Sequence, residues 1–185
     1  MFDKEYDIIG KHALYTRFLS RDMQSKENRG KGVFGSYGIF ERYIDVYMHG
    51  ALFGLLYNRT AVRDSSNPDE QANIPATAFN TSRNECMFLY RLVMILEQTT
   101  DVTPDERVNR AFRDDADESK GDKLIDNIKL FHSYVLGGIE VLYEKYSDGC
   151  NTPEDYMERI FTLLQDFQEE IQGISYENKL AQLMK

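Results

Sequence analysis

Arg42, Asp45 and His49 stand at helical spacing inside the stretch IFERYIDVYMHGALFGLLYNR, Ile39 to Arg59. Offsets of three and seven residues put the three side chains on one side of a helix as a polar seam. A carboxylate beside an imidazole can orient the ring and share its proton, the minimum equipment for acid–base work. The same trio also makes an ordinary surface ion pair with a hydrogen-bonded histidine. Glu140 and His132 are the further residues that a proton-transfer site could recruit. No nucleophile, base and set of oxyanion donors can be assembled from these spacings, so the expectation is a protein that is not an enzyme.

Other chemistry is excluded more directly. The two cysteines, Cys86 and Cys150, lie far apart without a CxxC pair, and the three histidines are scattered. Neither pattern makes a zinc site, and no metal or cofactor is expected. Gly30, Gly32, Gly35 and Gly38 follow no strand and match neither phosphate-loop signature. The run Asp114 to Asp122 looks like a calcium loop, but counted from Asp115 its glycine arrives one residue late and position twelve is Asp126 rather than Glu. An acidic turn is the better reading.

The elements that must carry these residues are helical. In the central stretch Phe40, Ile44, Tyr47, Met48, Ala51, Leu52, Leu55 and Leu56 recur at three- and four-residue steps, one broad apolar face. Glu41, Arg42, Asp45 and His49 argue against a membrane span, because charge in hydrocarbon is costly. Gly50 and Gly54 share a face four residues apart, which predicts close packing against a second helix. Gly137 and Gly138 imply the same, or a kink or an end, in a long helix over Leu124–Tyr146.

Further helices are expected over Tyr6–Met23, over Ser82–Gln98 with Ser82 and Glu85 as a capping box, from Thr103 to Phe112, and from Thr152 to Ile171. A short one is expected near Tyr176–Met184. Thr60 to Ala78 reads as a long irregular connection. Arg107, Arg110 and Arg113 read as solvated beside acidic neighbours, and Cys86 as an inert core thiol. The fold class is all-α: one helical domain over 1–185, a bundle of about five to seven helices, with a basic N-terminal part at 1–38, a helical core at 39–172 and a short C-terminal helix at 174–185.

A net charge of −9 conceals an asymmetry. Residues 1–63 hold ten Lys and Arg against seven Asp and Glu, while residues 64–185 hold 12 against 24. Lys11, Arg17, Arg21, Lys26, Arg29 and Lys31 form a basic segment opposed only by Asp22 and Glu27. It is the candidate surface for an acidic protein partner or for nucleic acid, although overall acidity disfavours a phosphate backbone. The N-terminal residues MFDKEYDIIGKH are too acidic and too short in apolar run for a signal peptide, so a cytoplasmic location without a membrane anchor is expected.

Two patches carry a family resemblance. One is the central stretch, with its aromatic start, mid-helix Asp, G-A-x-x-G step and closing Arg. The other is FHSYVLGGIEVLYEKY, where Tyr134, Gly137, Gly138, Ile139, Glu140 and Leu142 form a Tyr-x-x-Gly-Gly-hydrophobic-Glu pattern. Together they resemble the small helical proteins that accompany bacterial Dnd (DNA phosphorothioation) modification and restriction systems. The resemblance covers about a quarter of the chain and departs from the family pattern at Val135-Leu136 and in the long 64–78 loop. It implies a helical fold and an association with phage defence, with no catalytic residues to carry over.

The expectation is therefore a non-catalytic accessory or scaffold subunit of a bacterial DNA-modification or phage-defence assembly. It would act through contacts with other protein subunits or with copies of itself. The alternatives are a nucleic-acid-binding regulator that uses residues 11–31, and a helical enzyme built around Asp45 and His49.

Overall fold

The computed structural model describes residues 1–20, 38–114 and 121–173. Residues 21–37, 115–120 and 174–185 lie outside these, and with them the helix expected near Tyr176–Met184. The described residues hold seven helices and one two-stranded sheet, a predominantly α-helical protein as the apolar periodicity predicts. Residues 1–143 and 144–185 form two compact units.

The secondary structure of the first unit differs from the sequence expectation at its N-terminus and in the connection that follows the central stretch. Where one helix was expected from Tyr6, the chain forms a strand, β1 (Tyr6–Ile9), and then a helix, α1 (Lys11–Leu19). The expected irregular connection from Thr60 to Ala78 contains a second strand, β2 (Gln71–Ile74), and the start of a short helix, α3 (Ala76–Thr81). The strands pair antiparallel with Tyr6 opposite Ile74 and Ile8 opposite Ala72. Ile8, Ala72 and Ile74 are buried, so the two-residue alternation turns one face of the ribbon into the core. Four residues per strand are too few for that alternation to stand out in sequence.

Gly10 makes the corner between β1 and α1. Its φ of 63° suits glycine, and a Cβ there would meet the Asp64 backbone oxygen at 2.6 Å. Gly10 has no side chain to cap the helix, and α1 has no acid in its first turn. Asp64 supplies both from a distant loop, its Oδ2 accepting the Lys11 backbone N–H at 2.8 Å.

The helix α2 (Tyr43–Leu56) lies within the predicted central stretch, and α6 (Gly121–Ser147) runs for 27 residues. The helix passes unbroken through Gly137-Gly138 because both glycines face other backbone. A Cβ on Gly138 would overlap the Gly50 carbonyl oxygen and the Gly54 nitrogen, and one on Gly137 would overlap the Arg59 carbonyl oxygen. A Cβ on Gly50 would meet the Val135 carbonyl oxygen at 2.7 Å. The four glycines thus let two helix backbones touch, which sets α2 and the chain after it directly on α6. Ala61 N–H continues the seam by donating to the Ser133 carbonyl at 2.9 Å.

The helix α4 (Arg83–Leu96) packs on α2 and on α5 (Pro104–Phe112). Ser82 precedes α4 but makes no side-chain cap hydrogen bond, so the expected capping box does not form. Thr103 does cap α5, accepting from Glu106 N–H at 3.2 Å, with Pro104 in the first turn. The core between these helices is aromatic. Tyr47, Phe79, Tyr90, Phe131 and Tyr134 are buried, and the Phe131 ring meets those of Phe2, Tyr47 and Tyr90 edge-on within 6.0 Å. Cys86 is buried in the same layer, which pushes its thiol pKa up to about 12 and leaves it protonated and inert.

In the second unit Thr152 and Asp155 form a reciprocal cap on α7 (Pro153–Gly173). Asp155 N–H donates to Thr152 Oγ1 at 3.3 Å, and Asp155 Oδ2 accepts Thr152 N–H at 2.8 Å. Arg159 Nε donates to the Lys145 carbonyl, and its guanidinium pairs with Asp148 at 3.2 Å.

Candidate functional site around Glu140

Glu140 sits three residues beyond Gly137, inside the apolar run Val135 to Leu142, and its side chain is 10% exposed. A carboxylate in such a run must be paired or protonated. It is paired three times. Oε1 accepts from Lys11 Nζ at 2.8 Å and from His12 Nε2 at 3.1 Å, and Oε2 accepts from Arg59 at 3.1 Å. Burial by itself would raise the carboxyl pKa, but the hydrogen bonds from Lys11 and Arg59 outweigh it and hold the pKa below the usual range.

Each partner arrives from a different element. Lys11 and His12 occupy the first turn of α1, whose start is fixed by Asp64. Arg59 follows α2, where its N–H donates to the Gly54 carbonyl at 2.8 Å. Glu140 therefore ties α1, α6 and the segment after α2 together at the end of the glycine seam. His12 is fully buried, and burial depresses its pKa more than the Glu140 contact raises it. A neutral ring that donates from Nε2 leaves Nδ1 as an acceptor, and no described group donates to it. Lys11 and Arg59 keep about half of their side chains in solvent, so the cluster is a buried carboxylate with a cationic rim.

Two further polar clusters are equally consumed by structure. Glu97 ends α4, and its fully buried carboxylate accepts from Thr99 N–H at 2.9 Å, Thr100 N–H at 3.0 Å and Arg107 at 3.2 Å, with Arg110 at 3.5 Å. Arg107 and Arg110 were expected in solvent. Instead they fasten α5 to the end of α4, because both reach this one buried acid. His132 Nε2 lies 3.0 Å from the Tyr47 hydroxyl, and its ring stacks on Tyr6 at 4.1 Å. Burial, reinforced by Arg63, lowers its pKa to about 4 and keeps it neutral.

The predicted seam is a surface feature. Arg42 grips the Asp45 carboxylate with two nitrogens, at 2.7 and 3.1 Å, and Asp45 accepts the Arg42 backbone N–H at 3.0 Å, which caps α2. His49 is exposed and donates from Nδ1 to the Asp45 backbone carbonyl at 2.8 Å, not to the carboxylate. Its ring leans on Phe40. The structure thus brings Arg42, Asp45 and His49 together without an imidazole–carboxylate pair. Neither Glu140 nor His132 joins them: one is held by Lys11, His12 and Arg59, the other by Tyr47 and Tyr6.

Of the basic segment, the described residues Lys11 and Arg17 both face acids of this chain. Lys11 meets Glu140, and Arg17 pairs with Glu70 and the Gln71 carbonyl. Arg21, Lys26, Arg29 and Lys31 lie outside the described residues. Among the described residues, no group of His, Cys, Asp and Glu could hold a metal ion. Among the described residues, no helix is long and apolar enough to cross a membrane.

Sequence reasoning named Glu140 and Lys11 separately and missed their meeting, together with the parts played by His12, Arg59 and Glu97. The available signal was the lone acid within VLGGIEVL, which demands a cationic partner from elsewhere. Compared with known proteins, the chain matches no family model, no curated protein and no solved structure.

Proposed function

We propose that this protein is a non-catalytic accessory or scaffold subunit of a bacterial DNA-modification or phage-defence assembly, working in the cytoplasm through protein contacts. The defence context rests on the Dnd-associated resemblance of the two glycine-bearing patches. Protein contact as the mode of action rests chiefly on one observation: α4 carries a continuous exposed apolar surface. Phe88 is 64% exposed and Leu96 51%, and they are flanked by Leu52 of α2 at 40% and Phe112 of α5 at 52%. Between α2 and α4 this surface forms a groove lined by Met48, Leu52, Phe88 and Leu89, with His49, Asn84 and Glu85 among its walls. A contiguous apolar area of this kind on a folded domain marks a surface that another protein covers.

The competing readings have less behind them. The buried carboxylates of Glu140 and Glu97 and the His132 ring are engaged in holding helices together, each by partners from other elements. A regulator reading phosphates through residues 11–31 would have to do so without Lys11 and Arg17, which are committed to acids of the same chain.

The test is a pull-down of tagged protein from its native cell, washed at low and then at high salt, with proteins and nucleic acids both identified. The proposal expects DNA-modifying or restriction proteins that survive the high-salt wash, because apolar contacts are not screened by salt. DNA or RNA lost at high salt, with no protein partner, would overturn it in favour of the basic segment.

A further inference from the structure

The apolar surface of α4 contains one charge that meets no acid in the described structure. A second groove, between α4 and α5, is lined by Asn84, Met87, Phe88, Leu92, Leu96, Phe112 and neighbours, and Arg91 is its only charged residue. The Arg91 guanidinium lies over the Phe112 ring at 5.2 Å. Its Nε is buried and has no hydrogen-bond partner, and among the described residues Arg91 makes neither a hydrogen bond nor an ion pair. The contrast with Arg42, Arg59, Arg107, Arg110 and Arg159 is direct, since each of those meets a carboxylate. A guanidinium placed over an aromatic ring keeps its N–H groups available for a carboxylate.

We propose that this groove is a docking site for an amphipathic helix that carries an Asp or Glu beside its apolar stripe, the acid pairing with Arg91. The lining from Asn84 to Leu96 extends along about 18 Å of helix. That length matches a partner of roughly three turns with apolar anchors at three- and four-residue spacing. Phe88, Leu92 and Leu96 receive the anchors, and Arg91 fixes register and excludes a basic stripe. The lone cation amid apolar residues also argues against nucleic acid, which needs several phosphate contacts. This inference rests on the scaffold reading and specifies the chemistry of its partner.

A photo-cross-linking residue at Leu92, introduced in the full chain in its native cell, identifies what covers the groove. The captured segment is then synthesised as a peptide and titrated against purified protein. The expected segment is amphipathic with an Asp or Glu next to its apolar stripe. Its amide variant should bind about fivefold more weakly to the native protein, and equally well to Arg91→Gln. A peptide in which Lys replaces the acid should recover binding to Arg91→Glu. A captured protein segment whose amide variant binds equally well would overturn the acidic-helix inference and leave the scaffold reading in place. Cross-links to a second copy of this chain, or to α7 of the same chain, would overturn it as well. No cross-link at Leu92, with none at Phe88 or Leu52 either, would remove both.

Discussion

His12 Nε2 lies 3.1 Å from Glu140 Oε1 across a sequence separation of 128 residues, at the point where α1 meets the glycine seam of α6. The contact joins the first and last long elements of the first unit. Its cost is a buried, ionised carboxylate, which Lys11 and Arg59 keep charged.

Glu140→Gln is expected to destabilise the protein by about 2–3 kcal/mol in urea unfolding, because the pairing is broken inside an apolar run. Lys11→Met should cost under about 1 kcal/mol, since Lys11 is half exposed and Arg59 still satisfies the acid. Equal losses from the two variants would contradict the division of the cluster into a buried acid and a solvated rim.

Gly138→Ala should be among the most damaging small substitutions in the chain, costing about 3 kcal/mol or more, because its Cβ overlaps backbone that no rotamer change can move. Gly121→Ala meets nothing within 4 Å, and the loss of backbone freedom in the unfolded chain should make it neutral or stabilising by up to about 1 kcal/mol. Thermal unfolding of the pair tests whether the seam is backbone contact or merely small-residue packing.

The chain should lose stability as pH falls from about 6.5 towards 4. His12 and His132 both have folded pKa values below the unfolded value, His132 at about 4. In that window the unfolded chain takes up protons that the native state refuses, so stability falls with pH. Glu140 adds a further loss below the usual carboxylate pKa, as its depressed value is crossed. His132→Phe is expected to reduce stability at pH 7 by about 1–3 kcal/mol through the lost Tyr47 partner, yet to flatten the slope between pH 6.5 and 4. An unchanged slope would show that His132 titrates in the native state.

These three predictions concern contacts of very different legibility. The helices α2 and α4 show in their apolar spacing, and α5 and α7 announce themselves through Thr-Pro starts. The seam was half legible: Gly137-Gly138 suggested close packing, a kink or an end, and only the opposing Gly50 and Gly54 decide among them. The strands β1 and β2 were not legible, because YDII and QANI are too short for alternation and their pairing depends on partners more than sixty residues apart. The Glu140 cluster failed for the same reason. Its members are ordinary surface-type residues one by one, and only the fold delivers α1 and Arg59 to the buried acid. Arg91 carries no signal in the sequence, since only the fold brings Phe112 to its guanidinium.

His49→Ala should leave unfolding unchanged, because the ring is exposed and its hydrogen bond is to its own helix backbone. Because His49 also lines the groove between α2 and α4, loss of cellular function with both the fold and the pull-down partners retained would revive a catalytic reading of Arg42, Asp45 and His49.

The most direct test of the scaffold account is to repeat the high-salt pull-down with Phe88→Asp beside the native protein. Phe88 is largely exposed, so its replacement should leave the unfolding transition within about 0.5 kcal/mol. The account predicts that DNA-modifying or restriction partners stay with the native protein and are lost from Phe88→Asp. The same partners retained on both proteins, or no protein partner on either, would contradict it.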